Sequence, residues 1–180
     1  MSLPTVPESE GRRVLHVCGY PGAGKTRWLL TRAETLRARG LQVGGFVQPA
    51  VPGEGWNEGY DLLDLATGER ISFVRRSPAD PVSGRQEYTF EPAAWAWAAE
   101  RIRVARLEAD VLLVDECGRL EAGGGGHLPA LLAPVPQERC RRWILAVRRE
   151  VLLPLRARLG LPVATVRLPG GIPRLGRLSA

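Results

Sequence analysis

The chain has 180 residues, 44% of them hydrophobic, and a formal net charge of +6 at pH 7. This length suits one domain with a real core, and this hydrophobic content excludes a disordered chain. The sequence contains neither a run of eighteen apolar residues nor a signal peptide with an apolar core, so we expect a cytoplasmic protein with no membrane partner.

The positive charge is concentrated towards the end of the sequence. Residues 139–180 carry ten arginines and one glutamate, whereas residues 1–138 have a small acidic excess. A basic segment of this kind could bind nucleic acid, a membrane or nucleotide phosphate. We favour solvated helix faces and expect no nucleic-acid partner, because arginine is the general basic residue of this chain and Lys25 is its only lysine.

The first strong motif is a phosphate-binding loop, residues 19–26, called the phosphate loop below. It reads Gly-Tyr-Pro-Gly-Ala-Gly-Lys-Thr and fits G-x-x-x-x-G-K-[ST]. A β-prone segment, residues 14–18, precedes it, and apolar residues recur at helical spacing after it. Such a strand–loop–helix unit binds phosphate through backbone N–H groups. Lys25 is predicted to reach the β- and γ-phosphates, and Thr26 to hold Mg²⁺ through its hydroxyl.

Further strands and helices alternate along the chain. The predicted strands are residues 14–18, 41–47, 60–65, 71–74, 111–114, 143–147 and 163–168. The predicted helices are the segment between the phosphate loop and Gly40, and residues 92–108, 128–132 and 149–159. The predicted loops are residues 49–59, which could instead be a hairpin tip, and residues 77–86 and 123–126.

This order predicts an α/β fold of the P-loop type. Its mostly parallel sheet is flanked by helices and carries an inserted antiparallel hairpin, residues 60–74. The ligand is expected at the carboxyl edge of the parallel strands. We expect a flexible N-terminal tail over residues 1–12, one P-loop domain over residues 13–168, and a basic C-terminal tail over residues 169–180.

The helix predicted over residues 92–108 has an apolar stripe. Trp95 and Ile102 belong to this stripe and are expected to be buried, whereas Arg101 and Glu108 are expected to face water. Trp95 could instead be a ligand platform, but we favour a core role for it.

A second motif follows the apolar run of residues 111–114, which is typical of a central parallel strand. Asp115 and Glu116 end that run, where a Walker B element belongs. Asp115 is predicted to bind Mg²⁺ together with Thr26, and Glu116 to orient or deprotonate an attacking water. A P-loop enzyme that activates water has a strand between its two motif strands. Residues 41–47 are the candidate for it, which favours a hydrolase or motor-like ATPase over a nucleotide kinase.

Four segments of the sequence resemble one family, the small P-loop nucleoside-triphosphatases, a group that includes the human cancer-related nucleoside-triphosphatase and its thermophile relatives. The similarity covers most of residues 13–165. It implies Mg²⁺-dependent hydrolysis of nucleoside triphosphates such as ATP and GTP to diphosphates, with loose base selectivity. The four segments are the phosphate loop, Val43-Gly-Gly-Phe46, the stretch from Gly59-Tyr-Asp-Leu-Leu-Asp-Leu65 to Thr67-Gly-Glu-Arg70, and Asp115-Glu-Cys-Gly-Arg-Leu-Glu121.

The resemblance also implies roles for individual residues. Lys25, Glu116 and Arg119 are the predicted catalytic residues, and Thr26 and Asp115 are the predicted Mg²⁺ ligands. Arg119 stands where the family has Lys, and it could contact phosphate or be a surface cation. The predicted nucleotide-binding residues are Gly19, Tyr20, Pro21, Gly22, Ala23, Gly24, Lys25, Thr26, Arg27, Asp115, Glu116, Gly118 and Arg119.

Three features leave the function open. The family's Thr after Gly-Gly-Phe-x is replaced around Gln48-Pro49, and its Asn-Arg pair near the end is missing. Glu121 could fix either Arg119 or the loop beside it. A P-loop kinase or cofactor-biosynthesis transferase is therefore an alternative, with an acceptor pocket formed by Trp56 or residues 77–89. A non-catalytic nucleotide-binding regulator is a third, and the sequence does not identify a protein partner.

Overall fold

The computed structural model describes residues 12–54, 57–77 and 87–170. Most of both predicted tails, Trp56 and most of the predicted loop over residues 77–86 lie outside these ranges. The described strands are β1 (Arg13–Gly19), β2 (Val43–Val47), β3 (Ala50–Pro52), β4 (Asn57–Asp64), β5 (Arg70–Arg76), β6 (Tyr88–Phe90), β7 (Val111–Cys117), β8 (Arg142–Arg148) and β9 (Val163–Arg167). The described α-helices are α1 (Lys25–Arg37), α2 (Pro92–Glu108), α3 (Arg119–Gly123), α4 (Leu128–Leu132) and α5 (Leu152–Leu159), which follows a 3₁₀ turn (Arg149–Val151).

All described strands belong to one sheet. Its order is β6-β5-β4-β2-β7-β8-β1-β9, with β3 paired to β4. The pairs among β2, β7, β8, β1 and β9 are parallel, and every pair that involves β3, β4, β5 or β6 is antiparallel. The prediction of a mostly parallel sheet with an antiparallel insertion is confirmed.

The strand between the two motif strands is not the predicted one. β1 leads into the phosphate loop and β7 carries Asp115 and Glu116, and both strands pair with β8. The candidate for this position, residues 41–47, forms β2, which lies on the other side of β7. Both β2 and β8 consist mainly of buried residues, so their apolar patterns fit either position. Spatial order comes from the crossover connections, which the strand sequences do not encode.

Helices cover both faces of the sheet. Side chains of α1 pack in one core cluster with Leu15 and Val17 of β1, whereas α2, α4 and α5 pack in the other with Val14 and Cys18. The alternation along β1 is that of a strand buried on both faces. None of the helices in the described ranges is long and apolar enough to span a membrane.

Helix α2 begins and ends where the sequence predicted, with Pro92 in its first turn. Ile102 is buried as expected. Two other residues of the helix differ from the prediction. Trp95 is only half-buried, and the Nη1 atom of Arg101, expected to face water, lies 3.3 Å from Asp64 Oδ2.

Three short elements were missed. β3 lies inside the segment predicted as a loop or hairpin tip and pairs with β4, while β6 pairs with β5. Each of these two strands has three residues, too few to show a period of two. Helix α3 has five residues and shows no apolar stripe for the same reason.

The Val43-Gly-Gly-Phe46 segment serves close packing. A Cβ atom on Gly44 would lie 2.7 Å from the Cβ of Ala105 in α2. A Cβ atom on Gly45, whose φ is 93°, would lie 2.0 Å from the carbonyl oxygen of Leu113 in β7. Glycine is therefore required at these positions for α2 and β7 to approach β2.

The family-like segment around Asp64 builds the turn between β4 and β5. Its carboxylate accepts hydrogen bonds from the backbone N–H of Ala66 at 2.8 Å and the hydroxyl of Thr67 at 2.9 Å. Asp61 pairs with Arg70 at 2.6 Å across the same hairpin. These residues stabilise a tight turn, as Asx-type contacts do.

His16 is a buried polar residue of β1 outside the phosphate site. Neither of its ring nitrogens has a hydrogen-bond partner among the described residues. Burial, with a smaller contribution from the charge of Arg156, lowers its pKa from 6.5 to about 4. The folded protein therefore holds this ring neutral where an unfolded chain would protonate it.

We expect His16 to make stability depend on pH. The unfolded chain binds the proton first, so the free energy of unfolding should fall as the pH drops from 6.5 to about 4 and then level off. The loss for one such group is up to about 3 kcal/mol. Urea unfolding at pH 7 and pH 4.5 should show a smaller loss for His16→Leu than for the unsubstituted protein. Equal losses in the two proteins would contradict this.

Candidate active site

One cavity of about 640 Å³ brings the two sequence motifs together at the carboxyl edge of the parallel strands. Most predicted site residues line it, whereas Gly19, Tyr20 and Ala23 do not. The predicted residues on its wall are Pro21, Gly22, Gly24, Lys25, Thr26, Arg27, Asp115, Glu116, Gly118 and Arg119.

The phosphate loop turns sharply from β1 into α1. Gly24 caps the helix with φ 81°, in the left-handed region that favours glycine. Lys25 follows it and is only 6% exposed. Its Nζ atom donates to the carbonyl oxygens of Gly19 at 3.2 Å and Tyr20 at 3.1 Å. The lysine charge is thus held over the loop, where a phosphate would meet it.

Asp115 is a buried carboxylate, 1% exposed. Its Oδ2 atom accepts a hydrogen bond from the backbone N–H of Gln48 at 3.1 Å, while Oδ1 has no partner among the described residues. Burial raises its pKa to about 6, and the nearby Thr26 hydroxyl and the Gln48 N–H oppose that rise. A buried oxygen without a partner beside a threonine hydroxyl fits a divalent cation of the Mg²⁺ type.

Glu116 lies on a β-bulge. The register of β7 and β8 shifts between Val114 and Cys117, and Glu116 takes the left-handed conformation with φ 59°. Such a conformation costs about 1–3 kcal/mol in a non-glycine residue and is often found at functional sites. A bulge re-aims a side chain, and here the Glu116 carboxylate lies 3.8 Å from Lys25 Nζ.

Arg148, at the end of β8, is a site residue that the sequence analysis missed. Its Nε atom donates to Glu116 Oε1, and it lines the cavity. Its only sequence signal is an arginine directly after a buried strand. This signal can be interpreted only when the spatial order of the strands is known, because Arg148 meets Glu116 through the pairing of β8 with β7.

Glu121 fixes the loop beside the cavity. Its carboxylate accepts hydrogen bonds from the backbone N–H groups of Gly118 at 2.7 Å and His127 at 2.9 Å, and the residue is 3% exposed. Arg119 is exposed on the cavity wall at the start of α3. The sequence left open whether Glu121 fixes Arg119 or the loop. These contacts show that it fixes the loop.

Part of the wall of the same cavity is aromatic. Phe73, Phe90 and Trp95 line it together with His127. Trp95, for which a core role was favoured, therefore borders the cavity as well as packing against the core. The sequence analysis missed Gln48 as a site residue, although it noted Gln48-Pro49 as a departure from the family.

Comparisons with known proteins point to one family. A family model described as NTPase matches residues 14–124, more than half of the chain. The nucleoside-triphosphatase THEP1 of Methanopyrus kandleri is 32% identical over 143 residues, which cover 73% of this chain and 77% of that protein. That of Pyrobaculum aerophilum is 35% identical over 58% of this chain and 57% of its own length. A human cancer-related nucleoside triphosphatase structure matches the fold with a TM-score of 0.58 at 23% identity, covering 87% of this chain and 89% of that chain.

The fold and these relatives define the class of α/β nucleoside-triphosphatases. More particularly, the chain belongs to the NTPase family, whose model matches most of its parallel sheet and both motifs. The family suggested by the sequence is confirmed, and the relatives' names agree with the expected hydrolase class. The matched segments span 57% and 77% of the lengths of the Pyrobaculum and Methanopyrus relatives.

We expect Glu121→Gln to destabilise the protein. The amide offers one oxygen and one NH₂ group to two backbone N–H donors, so one buried donor loses its acceptor. The expected loss in the free energy of unfolding is about 1–3 kcal/mol. The control is Glu108→Gln on α2, which changes an exposed carboxylate. It should alter the free energy of unfolding by less than about 0.5 kcal/mol. Urea unfolding measures both, and equal values would show that the Glu121 contacts are not needed.

Proposed function

We propose that the chain is a cytoplasmic, Mg²⁺-dependent nucleoside-triphosphate phosphohydrolase, with its site in a domain over residues 13–168. It converts a nucleoside triphosphate to the diphosphate and inorganic phosphate. The observation that carries this proposal is the single cavity wall on which Lys25, Asp115 and Glu116 lie together. A phosphate-binding lysine, a metal-binding carboxylate and a carboxylate near the reacting phosphate are the parts that this reaction needs.

Lys25 and the phosphate loop would bind the triphosphate. Lys25 Nζ would exchange its bonds to the Gly19 and Tyr20 carbonyl oxygens for β- and γ-phosphate oxygens. Thr26 and Asp115 would hold Mg²⁺, which neutralises charge on the phosphates when bound. These contacts are to groups that all nucleoside triphosphates share, so we propose loose base selectivity.

Glu116 would act on the attacking water. Its carboxylate faces the cavity between two cations, Lys25 and Arg148. The phosphate oxygens of a bound nucleotide would attract both cations away from Glu116. The Glu116 carboxylate could then accept a proton from water. Arg148 and Arg119 would then lie where charge develops on the transferred phosphoryl group.

A panel of ATP, GTP, CTP and UTP with Mg²⁺, followed by phosphate release, tests this proposal. Release without any acceptor supports a hydrolase. Nucleotide affinity without release would favour the non-catalytic regulator. Formation of the nucleoside diphosphate only with an added alcohol, and without phosphate release, would favour a kinase. Similar rates with the four bases would support loose selectivity.

We expect Glu116→Gln and Asp115→Asn to differ in kind. Glu116→Gln keeps the shape and loses the base, so turnover should fall by roughly 10²–10⁴-fold while ATP affinity stays within a few-fold. Asp115→Asn should weaken ATP binding and raise the Mg²⁺ concentration needed, because it removes charge from the proposed metal site. Single-turnover hydrolysis by Glu116→Gln at the unsubstituted rate would show that water is activated elsewhere.

Lys25→Ala should weaken binding of Mg²⁺·ATP and abolish turnover, since the chain has no other lysine. The matched control is Arg39→Ala, because Arg39 is an exposed cation just after α1, the helix that begins at Lys25. This control should leave ATP binding and turnover unchanged. Titration calorimetry and phosphate release measure the two effects. Unchanged affinity and turnover in Lys25→Ala would refute the assigned role.

A further inference from the structure

Part of the cavity is lined mainly by aromatic rings, and this part is called the aromatic chamber below. Its walls come from the antiparallel strands β4, β5 and β6, the start of α2 and the loop before α4. The volume of the whole cavity, about 640 Å³, falls within the range of about 300–1,000 Å³ that is typical of small-molecule sites. The chamber residues are Tyr60, Phe73, Tyr88, Phe90, Trp95 and His127.

The rings of the chamber pack on one another at one end and are open at the other. The centroid of Trp95 lies 4.8 Å from that of Phe73, 5.7 Å from that of Phe90 and 4.9 Å from that of His127. Phe90 lies at the edge of this packed group and is 42% exposed, and Tyr88 is 48% exposed. Exposed aromatic rings at the rim of a concave surface are typical of a binding site for a planar apolar group.

The chamber is joined to the metal side of the phosphate site through Gln48. The Nε2 atom of Gln48 donates to the backbone oxygen of Asp115 at 3.2 Å and lies 3.5 Å from His127 Nε2. Burial lowers the pKa of His127 to about 4, so its ring is neutral and can accept this contact. Two hydrogen-bonded steps thus connect Asp115 with a ring that touches Trp95.

The position of the chamber relative to the triphosphate follows from the strand order. The phosphate loop follows β1, the two carboxylates end β7, and β2 and the antiparallel strands lie beyond β7. Lysine and Mg²⁺ in P-loop sites bind the β- and γ-phosphates. The γ-phosphate of a bound nucleotide would therefore point towards Asp115 and Glu116, and the chamber would lie past that end, away from the nucleoside.

We propose that the aromatic chamber binds a planar aromatic alcohol, whose hydroxyl replaces water as acceptor of the γ-phosphoryl group. The proposal rests on nucleotide binding at the phosphate loop, as proposed above. The alcohol oxygen forms a bond to the γ-phosphorus while the bond from that phosphorus to the β–γ bridging oxygen breaks. The electron pair leaves with the bridging oxygen on the diphosphate, and the hydroxyl proton passes to Glu116 and then to solvent. The products are a phosphate monoester and a nucleoside diphosphate.

Binding is tested with benzyl alcohol, followed by ligand-observed NMR with Mg²⁺ and a non-hydrolysable ATP analogue. We expect Phe90→Ser and Trp95→Leu to weaken its binding by about two- to tenfold, the size of an aromatic contact. Phe90 is partly exposed, so its substitution should leave the fold intact. Trp97→Leu is the matched control, because this half-buried tryptophan of the same helix does not line the cavity. Equal binding by all four proteins, or none, overturns the proposal.

Transfer is tested with ATP, Mg²⁺ and benzyl alcohol, 2-phenylethanol or 3-phenylpropanol, which move the hydroxyl away from the ring in steps of one methylene. Phosphorus NMR should show a phosphate monoester with at least one of them, formed more slowly by Phe90→Ser than by Trp97→Leu. Phosphate release without alcohol reports hydrolysis separately, so failure of the two proposals can be told apart. Ring binding without a monoester from any alcohol overturns the transfer step.

The nucleoside base is the competing occupant. Binding of Mg²⁺·ATP and of Mg²⁺·tripolyphosphate, which has no base, distinguishes the two by calorimetry. We expect Phe90→Ser to change neither affinity by more than about twofold, because removing a ring that stacks on the base would weaken ATP binding by more than this. A loss of ATP affinity with unchanged tripolyphosphate affinity would place the base in the chamber and refute the proposal.

Discussion

The buried carboxylate of Asp115 is the constraint on which the site depends. A charge 1% exposed is costly unless it is paired or hydrogen-bonded, and one of its oxygens lacks a partner among the described residues. Three elements meet around it: β7 supplies the residue, the end of β2 supplies the Gln48 N–H, and α1 supplies Thr26. The parallel pairing of β2 with β7 is what brings Gln48 to this carboxylate. A cation bound at this point would pair with the Asp115 oxygen that has no partner among the described residues.

The second constraint is the position of β8. Because it separates β1 from β7, the phosphate loop and Glu116 lie on either side of one strand. The same strand brings Arg148 to Glu116, so a carboxylate and two cations surround the place where a γ-phosphate would lie. The β-bulge at Glu116 allows this meeting, since two residues of β7 there oppose one residue of β8.

Much of this site could be predicted because its signals are local in sequence. The phosphate loop, Asp115-Glu116 and the bounds of α2 follow from motif spacing, a continuous apolar run and a proline in the first helical turn. Gln48 and Arg148 carry no such signal, because each acquires its role from a strand that is distant in sequence and adjacent in space. Trp95 shows the same limit, since helical period places it on the apolar face but does not show that this face ends at a cavity.

The side chain and the backbone of Gln48 make separate contributions to the site. The side chain is long enough to contact both the Asp115 backbone oxygen and His127. The backbone N–H of Gln48, which supports the Asp115 carboxylate, does not depend on the side chain. Gln48 therefore supports Asp115 through its backbone and connects Asp115 with the aromatic part of the cavity wall through its side chain. The phosphate site and the aromatic chamber are thus joined at one residue whose two contributions can be changed separately.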